Sequence, residues 1–178
     1  MWIRTMMMAT CFLVVPSWGA AQGSDPRPPG DRITAALAAA EAAGIPSSIL
    51  ELKVKEGQAK NVPIVRVAEA IEARLQALVA ADSFLRDLVP ERVPPAPELT
   101  VAADAILAGI ELETLEQLHR ETPADQRIVA MSVLAEVVRM GVPVDAAAVE
   151  VRDAVRAGAD RLLGLPGRVR VRTRGGGG

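Results

Sequence analysis

Aromatic residues are nearly missing from this 178-residue chain, which has two Trp, two Phe and no Tyr. Sugar-binding clefts and single-strand nucleic-acid platforms rely on aromatic faces for stacking, and this sequence has almost none to offer. There is one cysteine, Cys11, and one histidine, His119. A disulfide framework is therefore excluded, and thiol catalysis or a histidine-rich metal centre would be short of parts. An excess of one charge is lacking too. Twenty Lys and Arg stand against 22 Asp and Glu, a net charge of −2, so the whole chain gives no reason to expect nucleic-acid binding. Convincing strand alternation is absent before the C-terminal tail. What the chain does have is 50% hydrophobic residues, with Ala and Leu dominant. That fraction is too apolar for a disordered protein, and the length suits one domain.

The N-terminus reads as a targeting segment. Arg4 supplies a positive start, an uncharged and mostly apolar run extends from Thr5 to Trp18, and Gly19, Ala20 and Ala21 follow. The run is shorter than the ~20 residues that span a bilayer and suits the core of a signal peptide. Residues 1–21 are expected to be cleaved near Ala21, sending a chain that starts at Gln22 to the periplasm or the extracellular space. Cys11 makes a poor lipoprotein acceptor, because Met8-Ala9-Thr10 is a weak lipobox and most of the apolar run follows the cysteine. Beyond Ala21 there is no cysteine and one aromatic, Phe84.

The remainder is expected to be all-α. Residues 22–30 form a Pro/Gly-rich linker and 31–166 a helical domain. Apolar residues recur at i, i+3, i+4 and i+7, clearest at Ile64, Val67, Ala68, Ile71, Leu75 and Leu78, with Arg74 read among the polar residues mostly off that face. Asp31 reads as the N-cap of a first helix ending at Gly44. Ser48 and Glu51 have capping-box spacing for a second, which stops at Gly57. Four prolines in residues 90–97 form a stiff linker that splits the helices into two groups. Thr122, followed by Pro123, reads as a further N-cap. Residues 167–178 read as a basic, Gly-rich disordered tail.

The sequence also repeats. The segment AGIPSSILELKVKEGQAK from Ala43 aligns with AGIELETLEQLHRETPAD from Ala108, matching Gly44 to Gly109 and Ile45 to Ile110; a weaker copy, MGVP, begins at Met140. Each copy ends a helix at a Gly that can take positive φ, adds one apolar residue and starts another helix. Repeated helix–turn–helix hairpins in an orthogonal or solenoid-like array fit this spacing, each unit covering the apolar face of the next. Gly44, Pro46, Leu50, Lys53, Glu56, Gly57, Ala59, Lys60, Val62 and Pro63 together carry G-[IV]-P-x3-L-x2-K-x2-EG-x-AK-x-VP. This segment, with the export signal and the Pro-rich break, resembles a group of uncharacterised exported bacterial all-helical proteins. The resemblance implies no activity, cofactor or catalytic residue.

Chemistry-bearing constellations are few. Glu116 and His119 have the E-x-x-H spacing of di-iron bundles, but a second copy and its histidine are lacking, so His119 reads as part of a polar surface face. Ser24, Ser47, Ser48, Ser83 and Ser132 lack a nucleophile elbow, and Ser47 and Ser48 are better explained by helix capping. Glu51, Glu56, Glu116 and Glu121 are repeat-related carboxylates that could flank a cleft as acid and base, and more simply form a solvated face. Gly175 to Gly178 precede no helix and cannot cradle phosphate. Glu56, Gly57 and Lys60 form a candidate interaction loop, weighed against a plain helix C-cap. Arg168, Arg170, Arg172 and Arg174 alternate with apolar residues; in an extended strand they would present one cationic edge as a candidate anion-binding site. No catalytic residue, metal ligand or cofactor is assigned. The sequence thus points to an exported, non-enzymatic helical protein acting as a protein-interaction or structural module of the periplasm or cell envelope. The alternative is an envelope protein binding anionic lipid or polysaccharide through its arginine tail, with nucleic acid not expected as a partner.

Overall fold

The computed structural model describes residues 26–175, with side chains through residue 171; the targeting segment lies outside the described residues. The described residues are helical: α1 (Pro29–Ala42), α2 (Ser48–Ala59), α3 (Ile64–Leu88), α4 (Ala96–Leu107), α5 (Leu112–Glu121), α6 (Arg127–Arg139), α7 (Val144–Ala157), α8 (Ala159–Leu163) and α9 (Leu165–Gly175).

Two helices organise the body. α3 receives α1 and α2 and then packs on α4; α6 receives α4, α5, α7, α8 and α9. The sequence explains both roles. α3 carries one long apolar stripe. α6 is apolar nearly all round, with Ala130, Met131, Val133, Leu134, Ala135 and Val137 all buried, as a central helix requires. Near-total loss of aromatics is tolerable because alanines line the contacts. Ala40, Ala68, Ala102, Ala103, Ala105, Ala130 and Ala147 are fully buried, which lets helix axes approach closely and leaves less volume for large side chains to fill. Between α1 and α3, the buried Arg32 ties the helices together, its guanidinium donating to both Glu72 carboxylate oxygens at 2.9 and 2.5 Å.

Four helix ends share one device. Gly44, Asn61, Gly109 and Gly141 all take positive φ. After each, the next residue donates its N–H to a carbonyl five positions back: Ile45 to Ala40, Val62 to Gly57, Ile110 to Ala105 and Val142 to Val137. This Schellman geometry satisfies carbonyls that the helix leaves open and turns the chain sharply into the next helix. Three of these were expected from the Gly-Ile/Val pairs. The fourth, at Asn61-Val62, uses asparagine, one of the few other residue types enriched in the left-handed region.

Several local expectations are corrected. α1 starts at Pro29, with Pro28 at the N-cap, so Asp31 lies in the first turn, where its charge favours the helix dipole. No side chain caps α2: its N-cap is Ser47, and the box from Ser48 to Glu51 does not form. α2 also runs past Gly57 to Ala59. Thr122 ends α5 in extended conformation, and α6 begins only after a turn closed by Gln126 N–H on the Pro123 carbonyl. The Pro-rich stretch reverses the chain between α3 and α4, which pack on each other directly, so it is a turn rather than a spacer.

The largest difference is the tail. Its first part is helical rather than disordered or extended, because Leu165 and Val169 stand four apart and both are buried, with α9 seated on α6 and α8. The R-V-R-V alternation suggested a strand, yet Val171 stays exposed, so only the four-residue spacing is used for packing.

Gly57 has a packing role. A Cβ there would come within 2.8 Å of Val67 Cγ2 on α3. Gly57→Ala would gain about 0.5–1 kcal/mol of helix propensity, but the overlap costs about 1–3 kcal/mol where the core cannot yield. Net destabilisation of about 1 kcal/mol is expected in urea unfolding. Val67→Ala made in the same chain should convert the glycine change to a gain. Equal and additive effects of the two changes would contradict the contact.

Candidate functional site

A cleft of about 420 Å³ opens between α2, α3 and the C-terminal ends of α4 and α6. Its α2 wall is the segment singled out in the sequence. Glu56 Oε2 accepts from Lys53 Nζ at 2.8 Å and Glu56 Oε1 from Lys60 Nζ at 2.6 Å. These two lysines, first through their hydrogen bonds and then through their charge, hold the Glu56 carboxyl down to about 2, so it stays ionised at all physiological pH. Gly57 and Lys60 line the same wall. The Gly44–Pro63 segment is therefore one structural piece: helix α2, the Leu50 anchor buried beneath it, and a Schellman turn at each end.

The opposite wall repeats the charge arrangement. Arg74 on α3 donates Nη1 to Asp104 Oδ1 of α4 and Nη2 to the Thr100 carbonyl at 3.4 Å. Arg139, in the last turn of α6, donates to the Asp104 carbonyl at 3.2 Å and stands 3.8 Å from Asp104 Oδ1. Each acid is thus bracketed by two bases. Arg66 adds a cation at the start of α3, exposed and with no ion pair or hydrogen bond among the described residues. The floor is aliphatic: Val62, Val67, Ala70, Ile71 and Leu107. Arg74 is 4% exposed, and its Nε is buried without a hydrogen-bond partner.

The sequence pattern pointed to Glu56, Gly57 and Lys60 but not to Arg66, Arg74, Asp104 or Arg139. Arg74 had a legible signal, because it lies three residues after Ile71 and four before Leu78, within the buried register of α3 rather than off it. Asp104 and Arg139 join the cleft only through the packing of α4 and α6, which no local pattern encodes.

The other predicted residues fall elsewhere. Of the four repeat-related glutamates, Glu116 pairs with Arg120 at 2.5 Å and Glu121 with Arg156 at 3.3 Å; Glu51 is exposed at the start of α2. Neither this cleft nor a second cavity of about 520 Å³ along α7, α8 and α9 unites two of the four. That second cavity is larger, but Glu150 and Asp153 balance Arg161 and Arg168 around it, so it has no net charge to offer a ligand. In the tail, Arg168 donates to the Arg161 carbonyl at 2.6 Å and Arg170 stands 3.5 Å from Glu136. The side chains of Arg172 and Arg174 lie outside the described residues.

His119 is not on a solvated face. It is 5% exposed, because it follows Leu115 and Leu118 on the buried side of α5, and its Nε2 has no partner. Burial, with Arg127 and Arg92 nearby, lowers its pKa below the ordinary 6.5, while Glu98 opposes the shift. A depressed folded-state value means that the unfolded chain takes up the proton first. The stability this buried neutral ring allows is complete above pH ~6.5 and falls as acid carries the pH below that value. The urea midpoint should therefore drop between pH 7 and pH 5, and His119→Leu should flatten that drop. An equal decline in both proteins would place its origin elsewhere.

Among the described residues no group of His, Cys, Asp and Glu is arranged to hold a metal ion, and no helix is long and apolar enough to cross a membrane. No family model, curated protein or solved structure matches the chain.

Proposed function

We propose that the chain is an exported, non-enzymatic helical protein that serves as an interaction or structural module of the periplasm or cell envelope. It would belong with the exported bacterial all-helical proteins that its Gly44–Pro63 segment resembles. Its body is read as an array of repeated helical units. α1 and α4 end in equivalent Gly-Ile turns, each is followed by a shorter helix, and both helices of each pair then pack on the next long one, α3 or α6. Arrays of this kind commonly present extended binding surfaces formed where units meet.

The observation that carries the reading is the cleft. It is walled by the most distinctive segment of the sequence and closed by the ends of helices from both units. Full-length protein produced in a Gram-negative host should appear in the periplasmic fraction with Gln22 as its first residue by mass spectrometry. The mature protein used as bait in envelope extracts should retain a specific protein. That capture should be lost with Lys60→Glu and kept when residues 172–178, beyond the buried Val169, are removed. Retention of the full chain in the cytoplasm would end the export reading; capture indifferent to Lys60→Glu would end the role of the cleft.

A second reading, binding of an envelope anion, is favoured by one observation: the cleft carries five bases against two acids. The tail supports it less well, because Arg168 and Arg170 already contact the fold.

A further inference from the structure

We propose that the cleft between α2, α3, α4 and α6 binds a small amphiphile whose head is an oxyanion, a carboxylate or phosphate monoester, and whose body is aliphatic. This rests on the reading of that cleft as the binding surface and adds the chemistry of what it holds.

Charge selects the head. Glu56 and Asp104 each neutralise one base of the pair that brackets them, and Arg66 makes no ion pair among the described residues. The formal surplus from Lys53, Lys60, Arg66, Arg74 and Arg139 is opposed by the C-terminal ends of α2, α4 and α6, which meet at the cleft. Each end contributes about half a negative charge. Roughly one to two positive charges therefore remain uncompensated in the cleft of a chain whose net charge is −2. A buried guanidinium nitrogen left without a partner, Arg74 Nε, is a second sign that the site is incomplete as it stands. Lys60 and Arg66, both exposed at the mouth, can donate to oxyanion oxygens without leaving an existing core contact.

The floor selects the body. Val62 and Leu107 offer exposed branched aliphatic surface beside the buried Val67 and Ile71, and no aromatic face, which suits an alkyl chain better than a planar ring. At about 420 Å³ the space is nearly three times the ~150 Å³ that holds a benzene molecule, and falls in the range of small-molecule sites. It accommodates a chain of roughly eight carbons with its head group.

Isothermal titration of the mature protein tests this with octyl phosphate, octanoate, octanol and inorganic phosphate, all below their aggregation concentrations. Octyl phosphate or octanoate should bind one to one with Kd on the order of 100 μM, as ligands of this size commonly do. Octanol and inorganic phosphate should each bind at least tenfold more weakly. Arg66→Gln and Lys60→Gln, both at exposed positions, should each weaken binding about tenfold without changing the helical circular dichroism spectrum. Raising salt should weaken binding to the wild type more than to either variant. Removal of residues 172–178, which follow the buried Val169, should change nothing. The proposal is overturned if neither amphiphile binds, if octanol binds as well as they do, if both variants bind like wild type, or if binding departs with the tail. Protein capture that still depends on Lys60 while the amphiphiles fail to bind would sink this proposal alone. Capture that never depended on Lys60, with octyl phosphate bound, would sink the protein-partner reading instead.

Discussion

Leu134→Ala is expected to lower unfolding stability by about 3 kcal/mol, within the 2–5 kcal/mol range for deleting a fully buried leucine side chain. Leu134 is wholly buried on α6, and α6 is packed upon by α4, α5, α7, α8 and α9. A cavity opened there borders several elements at once, so no single helix can shift to fill it. Against a typical total of about 5–15 kcal/mol, that loss should move the urea midpoint conspicuously. Leu163→Ala provides the contrast. Leu163 is 63% exposed at the end of α8, and its truncation should cost no more than about 0.5 kcal/mol. If the two variants unfold alike, α6 is not the hub of the body.

The second large effect concerns Arg74 and Asp104. Asp104→Ala should cost about 2–3 kcal/mol, because it leaves a guanidinium buried without its counter-charge. The value sits below that of a wholly buried pair because the Asp104 side chain is 36% exposed. Arg74→Met in the same background should restore much of the loss, since an apolar stem of similar length needs no counter-charge. The cycle should give a coupling energy above about 1 kcal/mol. Additive losses would mean that Arg74 draws its compensation from the Thr100 carbonyl and from water, not from the carboxylate.

Much of the helical plan was legible, and for a physical reason. α3 starts at Ile64 and carries the apolar stripe through Leu78, as the periodicity placed it. Gly44, Gly109 and Gly141 end helices because a glycine followed by Ile or Val is the local chemistry of a Schellman turn. Elsewhere a local signal competed with packing and lost. Gly57 looks like a stop in sequence, but its missing side chain is what lets α2 approach Val67. Thr122 looks like an N-cap, but the chain needs the following turn to bring α6 under α5, and its hydroxyl is buried without a partner. The arginine-valine alternation hid the spacing from Leu165 to Val169 that docks α9.

The same division applies to the candidate site. Glu56, Gly57 and Lys60 stood out because they lie close together in an unusual local sequence. Asp104 and Arg139 come to them from α4 and α6, and they share the cleft only because α4 packs on both α3 and α6. The charges that line the cleft are contributed by four helices, so no single run of basic residues in the sequence announces it. The tail does hold such a run, yet its arginines Arg168 and Arg170 are engaged with α8 and α6. That is why the proposed anion is assigned to the cleft and not to the tail.

Amide chemical-shift mapping with octyl phosphate on the isotope-labelled mature protein tests the central claim most directly. Saturable shifts are expected to gather at Gly57, Lys60, Val62, Arg66, Ala70 and Leu107, with α9 and the His119 region unmoved. Shifts concentrated on residues 165–175, or spread evenly over the helices without saturation, would contradict it.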